Sequence, residues 1–350
     1  MNIALITGSC GLVGSESSIF FSKKKFKILG IDNNTRKFFF GKDGDITWVK
    51  KNLKKNIQNY KHLNLDIRNF SALKKIFIKN KRNIKVIIHA AAQPSHDWAK
   101  NNPFIDFDIN AKGTLNLLEL TKLYAPNAPF LFMSTNKVYG DNPNKLPLLE
   151  KKTRWELKKS HKFQNGIDET MSIDNCTHSF FGASKSYADL VVQEYGRNIG
   201  LKTACFRAGC ITGPNHSGAK LHGFLSYLVK SSLQNKKYSL IGYKGKQVRD
   251  NIHSQDLISC FWEYYKKPKY GEVYNVGGGR FSNCSIIEAL NEVEKITNTK
   301  IKRKILRQNR VGDHIWYISS MKKFKRDYPK WKQKNSTKKI IKELVYQFTS

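Results

Sequence analysis

Acidic residues are scarce in this chain. Only 27 aspartates and glutamates stand against 62 lysines and arginines, a formal charge of +35 over 350 residues. The basic runs, among them Lys23 to Lys25, Lys50-Lys51, Lys54-Lys55 and the stretch from Lys322 to Lys342, are scattered along the chain. No motif interleaves them with aromatics as nucleic-acid grooves require, so no nucleic-acid partner is expected. A lysine-rich solvated surface accounts for them, and its field favours an anionic substrate. Cysteines are few: Cys10, Cys176, Cys205, Cys210, Cys260 and Cys284. None forms a CxxC pair or a His/Cys cluster with ligand spacing, which predicts reduced thiols, a cytoplasmic protein and no metal. Long apolar runs are also missing. Nothing approaches the roughly 20 residues of a membrane span, and a strand beginning at residue 2 leaves no signal peptide to expect.

What is present is concentrated at the start. Asn2-Ile3-Ala4-Leu5-Ile6 is a run of strand formers that passes into Thr7-Gly8-Ser9-Cys10-Gly11-Leu12-Val13-Gly14. Glycines spaced three apart between a strand and a helix make a phosphate cradle. Gly8 allows the tight turn, Gly11 lets backbone approach a pyrophosphate, and Gly14 lets helix and strand pack closely. The N–H groups of Leu12 and Val13 then open the helix toward the anion. A second strand-like run, Lys27 to Ile31, ends in Asp32-Asn33. A carboxylate there accepts hydrogen bonds from a ribose diol and repels a 2′-phosphate, which predicts NAD rather than NADP. Arg36 lies close enough in sequence to oppose that preference. Asp66-Ile67, after a third run, is where an adenine would be met.

Further along, apolar runs and helical periodicity alternate. Helices are expected at 71–80, 110–124, 182–198, 224–234, from near 254, and at 285–298. Strands are expected at 85–89, 129–134, 201–206, 238–241 and 273–276. This alternation predicts an α/β fold with a doubly wound parallel sheet. The polar stretch 141–178 reads as a substrate-covering insertion. The expected division is a dinucleotide-binding domain over 1–207, with 247–276 returning to it, and a smaller discontinuous lobe over 208–246 and 277–350.

Three segments fall at the carboxyl ends of strands, where open α/β sheets bind ligands. In the first, Ala90-Ala91-Ala92 would admit the cofactor closely and Gln93 would face the substrate. In the second, the hydroxyl of Thr135 would bond a substrate hydroxyl, with Asn136 beside it. In the third, Phe180 to Lys185, Lys185 would hold a nicotinamide ribose. Asn215, His216 and His222 lie in a glycine-rich stretch that would cover a sugar.

The glycine loop, Asp32, Asp66-Ile67, the segment Asn110 to Thr114, Ser134 to Asp141 and Gly182 to Lys185 together resemble the extended short-chain dehydrogenase/reductases that act on nucleotide sugars. The runs Ser134 to Asp141, Asn165 to Glu169 and Gly245 to Asp250 look most like the branch of CDP-paratose 2-epimerases, also called CDP-tyvelose epimerases. The resemblance implies a Rossmann-type sheet, bound NAD, a nucleotide-diphosphate sugar (CDP- or UDP-linked) as substrate, and a homodimer built on the helices at 110–124 and 182–198, with Leu117, Leu120, Leu190 and Val191 at the interface. It implies epimerisation by transient oxidation to a keto sugar and re-reduction. Asn110 would belong to the cofactor site, and Gln247, Arg249 and Arg310 would grip the diphosphate. Thr135 and Lys185 match two members of the family's acid–base centre, but Phe181 stands where the third, a tyrosine, belongs. Phenylalanine has no proton to exchange, and losing a placed base costs about 10²–10⁴ in rate. Tyr187 lies about 240° around the helix from it. Asp168, Glu169, His178, Lys185 or a water on Thr135 are the candidate substitutes, and Glu169 is carried forward. A 4,6-dehydratase carries an acidic pair after the threonine. Asn136-Lys137 stand here instead, which argues against that reaction. A nucleotide-sugar dehydratase and a dead, sugar-nucleotide-binding homologue are the alternatives.

Overall fold

The computed structural model describes residues 2–214, 223–306 and 312–349. These form two compact units. One comprises residues 1–138, 180–207 and 258–274, the other 139–179, 208–257 and 275–350.

The first unit is built on strands β1 (Ile3–Thr7), β2 (Lys27–Ile31), β3 (Tyr60–Leu63), β4 (Ile84–His89) and β5 (Phe130–Thr135). Two further strands, Thr203–Ala208 and Glu272–Val276, extend the sheet beyond β5, giving seven strands in all. From that edge inward the order continues β5-β4-β1-β2-β3, and these five run parallel. This is a Rossmann-type fold. β1 and β4 are buried along almost their whole length, as expected of strands covered on both faces. The chain leaves β1 toward β2 on one side and reaches β4 on the other, so the direction of winding reverses between β1 and β4. Ligands of open α/β sheets bind at such a reversal.

The helices of this unit are α1 (Leu12–Lys23), α2 (Thr35–Phe40), α3 (Thr47–Asn56), α4 (Phe70–Asn80), α5 (His96–Asn101), α6 (Pro103–Phe107), α7 (Gly113–Tyr124) and α8 (Phe180–Arg197). α2 and α3 were not legible as helices. α2 buries no residue and α3 only Val49 and Leu53, so neither carries a full apolar stripe. α7 begins after a π-helical turn, Asp108–Lys112, which shifts the facing of Asn110 relative to an unbroken helix. Leu117 and Leu120 lie in the core with Leu5, Ile87 and Phe130. They are therefore not available at a subunit interface, whereas Leu190 on α8 is 47% exposed.

In the second unit, the strand Val248–His253 is fully buried and central. It pairs antiparallel with Asn283–Ser285 and parallel with Cys210–Thr212 and Trp316–Tyr317. A parallel pair, Tyr238–Ile241 with Arg303–Leu306, is separate. Helices Phe224–Leu233, Ile286–Thr297 and Thr337–Thr349 share a core through Leu225, Leu228, Leu290, Val293, Ile340 and Leu344. The last helix lies partly in the basic run that had been read as surface. Its apolar residues at three- and four-residue spacing turn inward while the lysines stay outside. The polar stretch 141–178 is not structureless. It contains a hairpin, Leu148–Glu150 with Trp155–Leu157, fastened by Arg154 to Glu156 and Glu288.

Candidate active site

The glycine loop has the form its spacing predicts. Gly8 takes φ +65°, and a Cβ there would lie 2.7 Å from the Ala91 amide nitrogen and 2.8 Å from the Ala90 carbonyl. The small residues after β4 are needed for this crossing. A Cβ on Gly14 would sit 2.0 Å from the Gly8 carbonyl oxygen. Gly11 differs: its nearest neighbour would be that same oxygen at 3.4 Å, which leaves its backbone open to a ligand. It caps α1 without any side-chain hydrogen bond, so the helix presents its N-terminal N–H groups there. Leu12 and Val13 are half-buried at that end. The cradle therefore fits a dinucleotide pyrophosphate.

Asp32 accepts from the Cys10 amide at 2.9 Å and from the Asn34 amide at 2.8 Å, tying the glycine loop to the turn after β2. Burial raises its carboxyl above the ordinary range. Arg36 lies over the Phe40 ring at 4.8 Å, which turns the guanidinium to an aromatic face. A small pocket beside Asp32 is lined by Cys10, Asn34, Thr47, Lys50, His62 and Asn64. Sequence reading missed most of these residues because they come from α3 and β3. Asn33 donates to Asp66 at 3.1 Å, and Asp66 is in turn held by Arg68. The Ile67 side chain is buried, and a Cβ on Gly113 would come within 2.6 Å of it.

Two sequence expectations are corrected here. Gln93 does not face a substrate. It is fully buried and donates to the Ser95 carbonyl at 2.9 Å and to Asp106 at 2.8 Å, while its own amide donates to Asn110. Asn110, expected at the cofactor, is also inside this network. Its side-chain amide donates to the Gln93 carbonyl, to Asp106 and to Ser184 on α8 at 3.0–3.1 Å. Buried amides must be satisfied, and partners distant in sequence satisfy them here. Neither the network nor its effect can be read from spacing. It clamps the start of α5 to α8. Beside it, His89 bonds Thr7 at 2.7 Å and Thr114 at 2.9 Å, and burial lowers its pKa strongly, holding it neutral.

The structure brings Thr135 and Lys185 to one strand. Thr135 ends β5 and its hydroxyl accepts from the Lys137 amide at 3.2 Å. Asn136, next to it, is buried. Lys185 reaches from α8 to donate to the Met133 carbonyl at 2.8 Å, with its ammonium 4.0 Å over the Phe132 ring. Burial pushes its pKa down to about 8, an effect that Asp189 partly offsets. Phe181 is buried one turn before Lys185, edge-to-face with the His96 ring at 5.0 Å between centroids. His96 was missed, although it follows the Ala90 to Ser95 stretch after β4. Tyr187 is turned away, 40% exposed and against Phe107.

In the second unit, Glu169 accepts from the Asn275 amide at 2.6 Å, and burial raises its carboxyl. Asp168 accepts from the amide and hydroxyl of Thr170. Tyr139 is fully buried and donates to the Asn275 side chain at 2.7 Å. Gln247 donates to the Ile241 carbonyl and leaves a buried Oε1 without a protein partner. Arg249 bonds Asp313 at 2.5 Å. Asn215, His216, His222 and Arg310 lie outside the described residues. Among the described residues no group of His, Cys, Asp or Glu could hold a metal ion, and no helix is long and apolar enough to cross a membrane.

Asp250 carries a stability prediction. It is fully buried, accepts from the Ser319 amide at 2.8 Å and the Gly279 amide at 3.1 Å, and burial raises its pKa to about 6. The folded state thus holds its proton more tightly than the unfolded chain. Its stabilising contribution is full below about pH 4 and is lost as pH rises through about 6. Wild type is expected to lose stability relative to Asp250→Asn across that window in denaturant titrations. Parallel pH profiles would contradict it.

The sequence profile of the NAD dependent epimerase/dehydratase family matches residues 4–277. The chain is 30% identical to the CDP-paratose 2-epimerase of Salmonella typhi over 99% of its own length and 98% of that protein's. It is 28% identical to the UDP-glucuronate 4-epimerase of Thermodesulfobacterium geofontis over 92% of the chain and 90% of that protein. Among solved structures, the Thermus thermophilus UDP-glucose 4-epimerase complexed with NAD superposes with a TM-score of 0.78 at 21% identity, covering 99% of each chain. The chain belongs to the NAD dependent epimerase/dehydratase family. Its cofactor is NAD, which the open Gly11 face and the free end of α1 fit.

Proposed function

We propose that the protein is an epimerase of a nucleotide-diphosphate sugar, acting on a CDP-6-deoxyhexose at C2 by transient oxidation to a keto sugar and re-reduction. NAD, when bound, takes up a hydride from the sugar carbon and returns it. The 30% identity to a CDP-paratose 2-epimerase, spread over 99% of the chain, is the observation that carries this reading. Gly8 to Gly14 and Asp32 would hold the dinucleotide. Lys185, pinned beside the strand that ends in Thr135, would keep positive charge at the reacting oxygen, and Thr135 would orient that oxygen. Gln247 and Arg249 would take the diphosphate through their N–H donors. Supplied with CDP-paratose or a panel of CDP- and UDP-sugars, the protein is expected to show transient absorbance of reduced nicotinamide and to yield an isomer visible by proton NMR. Neither signal from the whole panel would overturn the reading.

The second reading, a sugar-nucleotide-binding protein without turnover, is favoured by Phe181 alone. The same panel distinguishes it, since it predicts binding with no isomer.

The homodimer belongs to this proposal. Phe107, Tyr187 and Leu190 form an exposed apolar strip on α6 and α8, with Phe107 and Tyr187 in ring contact at 5.7 Å. Exposed apolar strips of this kind mark contact surfaces. Leu190→Glu is expected to shift the protein from dimer to monomer in sedimentation velocity. An unchanged dimer would place the interface elsewhere.

A further inference from the structure

Oxidising a secondary alcohol breaks a C–H and an O–H bond and forms a carbonyl. If the hydride goes to NAD with its electron pair, the hydroxyl proton still needs a side chain to receive it and later return it. Phe181 cannot serve. Lys185 is buried and engaged with the Met133 carbonyl. Tyr187 is turned to Phe107, and Tyr139 is buried on Asn275. Asp168 and Glu169 each accept backbone hydrogen bonds already, and the His178 ring lies against the Cys176 thiol at 3.7 Å.

We infer that His96, packed edge-to-face on Phe181 at the start of α5, is the residue that accepts this proton and gives it back. The inference rests on the epimerase reading and adds the acid–base group that reading lacks. Three observations carry it. The imidazole lies 5.0 Å from the Phe181 ring centroid to centroid, so a titratable group adjoins the position where a phenol is missing. It is partly exposed, unlike the buried His89. Its position is also fixed. Ser95 caps α5 by accepting from the Trp98 amide, Gln93 holds the Ser95 carbonyl, and Asn110 joins that network to Ser184, three residues beyond Phe181. The balance is complete: the O–H proton passes to the imidazole as the carbonyl forms, and returns to the oxygen when hydride reaches the other face of the carbon.

The test uses the full chain with NAD, CDP-paratose as probe, and three variants. His96→Gln is expected to lower isomer formation by about 10²–10⁴-fold, with affinity for CDP little changed by calorimetry. Phe181→Tyr in the His96→Gln background is expected to restore at least about tenfold of that loss, because a phenol re-enters beside Lys185. Phe181→Tyr alone is the reference against which the double variant is read. The His96 imidazole signal, assigned by its absence in His96→Gln, should move when CDP-paratose is added to the NAD-bound protein. Wild-type turnover in His96→Gln, or a double variant no faster than His96→Gln, would overturn the inference. If the unmodified chain turns over no sugar, the epimerase reading fails. The imidazole signal then decides for His96 separately, and an unmoved signal would remove it from the site.

Discussion

Gly14→Ala is expected to destroy dinucleotide binding and to destabilise the free protein together, whereas Gly11→Ala should do only the first. The added Cβ at Gly14 would lie 2.0 Å from the Gly8 carbonyl oxygen and 2.7 Å from the Ser9 Cα. Both are backbone atoms, so no side chain can move aside. Either α1 withdraws from β1 or the loop opens, and overpacking of this kind costs about 1–3 kcal/mol or more. The Gly8 turn, itself packed on Ala90 and Ala91, would be displaced with it. Gly11 has φ −73° and ψ 172°, angles alanine adopts freely, and its Cβ would meet nothing closer than 3.4 Å. That methyl group would instead occupy the face through which a pyrophosphate approaches. Thermal unfolding and NAD titration separate the two. Gly14→Ala should lower the melting temperature and weaken NAD by at least about 100-fold, or ~2.7 kcal/mol. Gly11→Ala should melt like wild type while still losing affinity. A Gly14→Ala protein that melts like wild type would show that the loop is not packed as described.

Asp189→Leu is expected to cost about 3–5 kcal/mol, the usual penalty for stranding the partner of a buried ion pair. Asp189 lies one turn after Lys185 on α8 and is almost fully buried, as is Arg207 on the neighbouring strand. The guanidinium bonds both carboxylate oxygens, at 2.7 and 3.1 Å. Ser134 on β5 and Gln193 on α8 donate to the same carboxylate. The carboxylate thus ties α8 to β5 next to Thr135, and its loss removes the carboxylate that Arg207 bonds inside the sheet. Guanidinium denaturation should register the full loss for Asp189→Leu. Combining it with Arg207→Met should recover much of it, because the guanidinium is then no longer buried without its carboxylate. A double variant as unstable as the single one would mean that shape, not charge, governs the site. Turnover should fall in the single variant as well, since the pair braces the helix that carries Lys185 and Phe181.

The sequence was most legible where chemistry demands a residue type at a spacing. Gly8, Gly11 and Gly14 fall in the strand–loop–helix turn that their spacing predicts, and Asp32 follows β2 as expected. It was least legible where polar residues act on each other. Gln93 and Asn110 read as ligand contacts because amides at strand ends often are, yet both are consumed by a buried network with Asp106, Ser95 and Ser184. Leu117 and Leu120 read as a subunit face, but the core claims them first. The helices at 35–56 and at the carboxyl end were hidden, one pair by a weak apolar stripe and the other by an excess of lysine.

The sequence by itself determined the alternation of strands and helices over most of the sheet, the glycine turn between β1 and α1 and the residue at position 181, because each is a property of residues near one another in the chain. Only the tertiary structure decided which polar side chains are locked away and which titratable group adjoins Phe181. Those outcomes depend on how helices far apart in sequence satisfy one another's buried donors and acceptors, and local spacing carries no record of that.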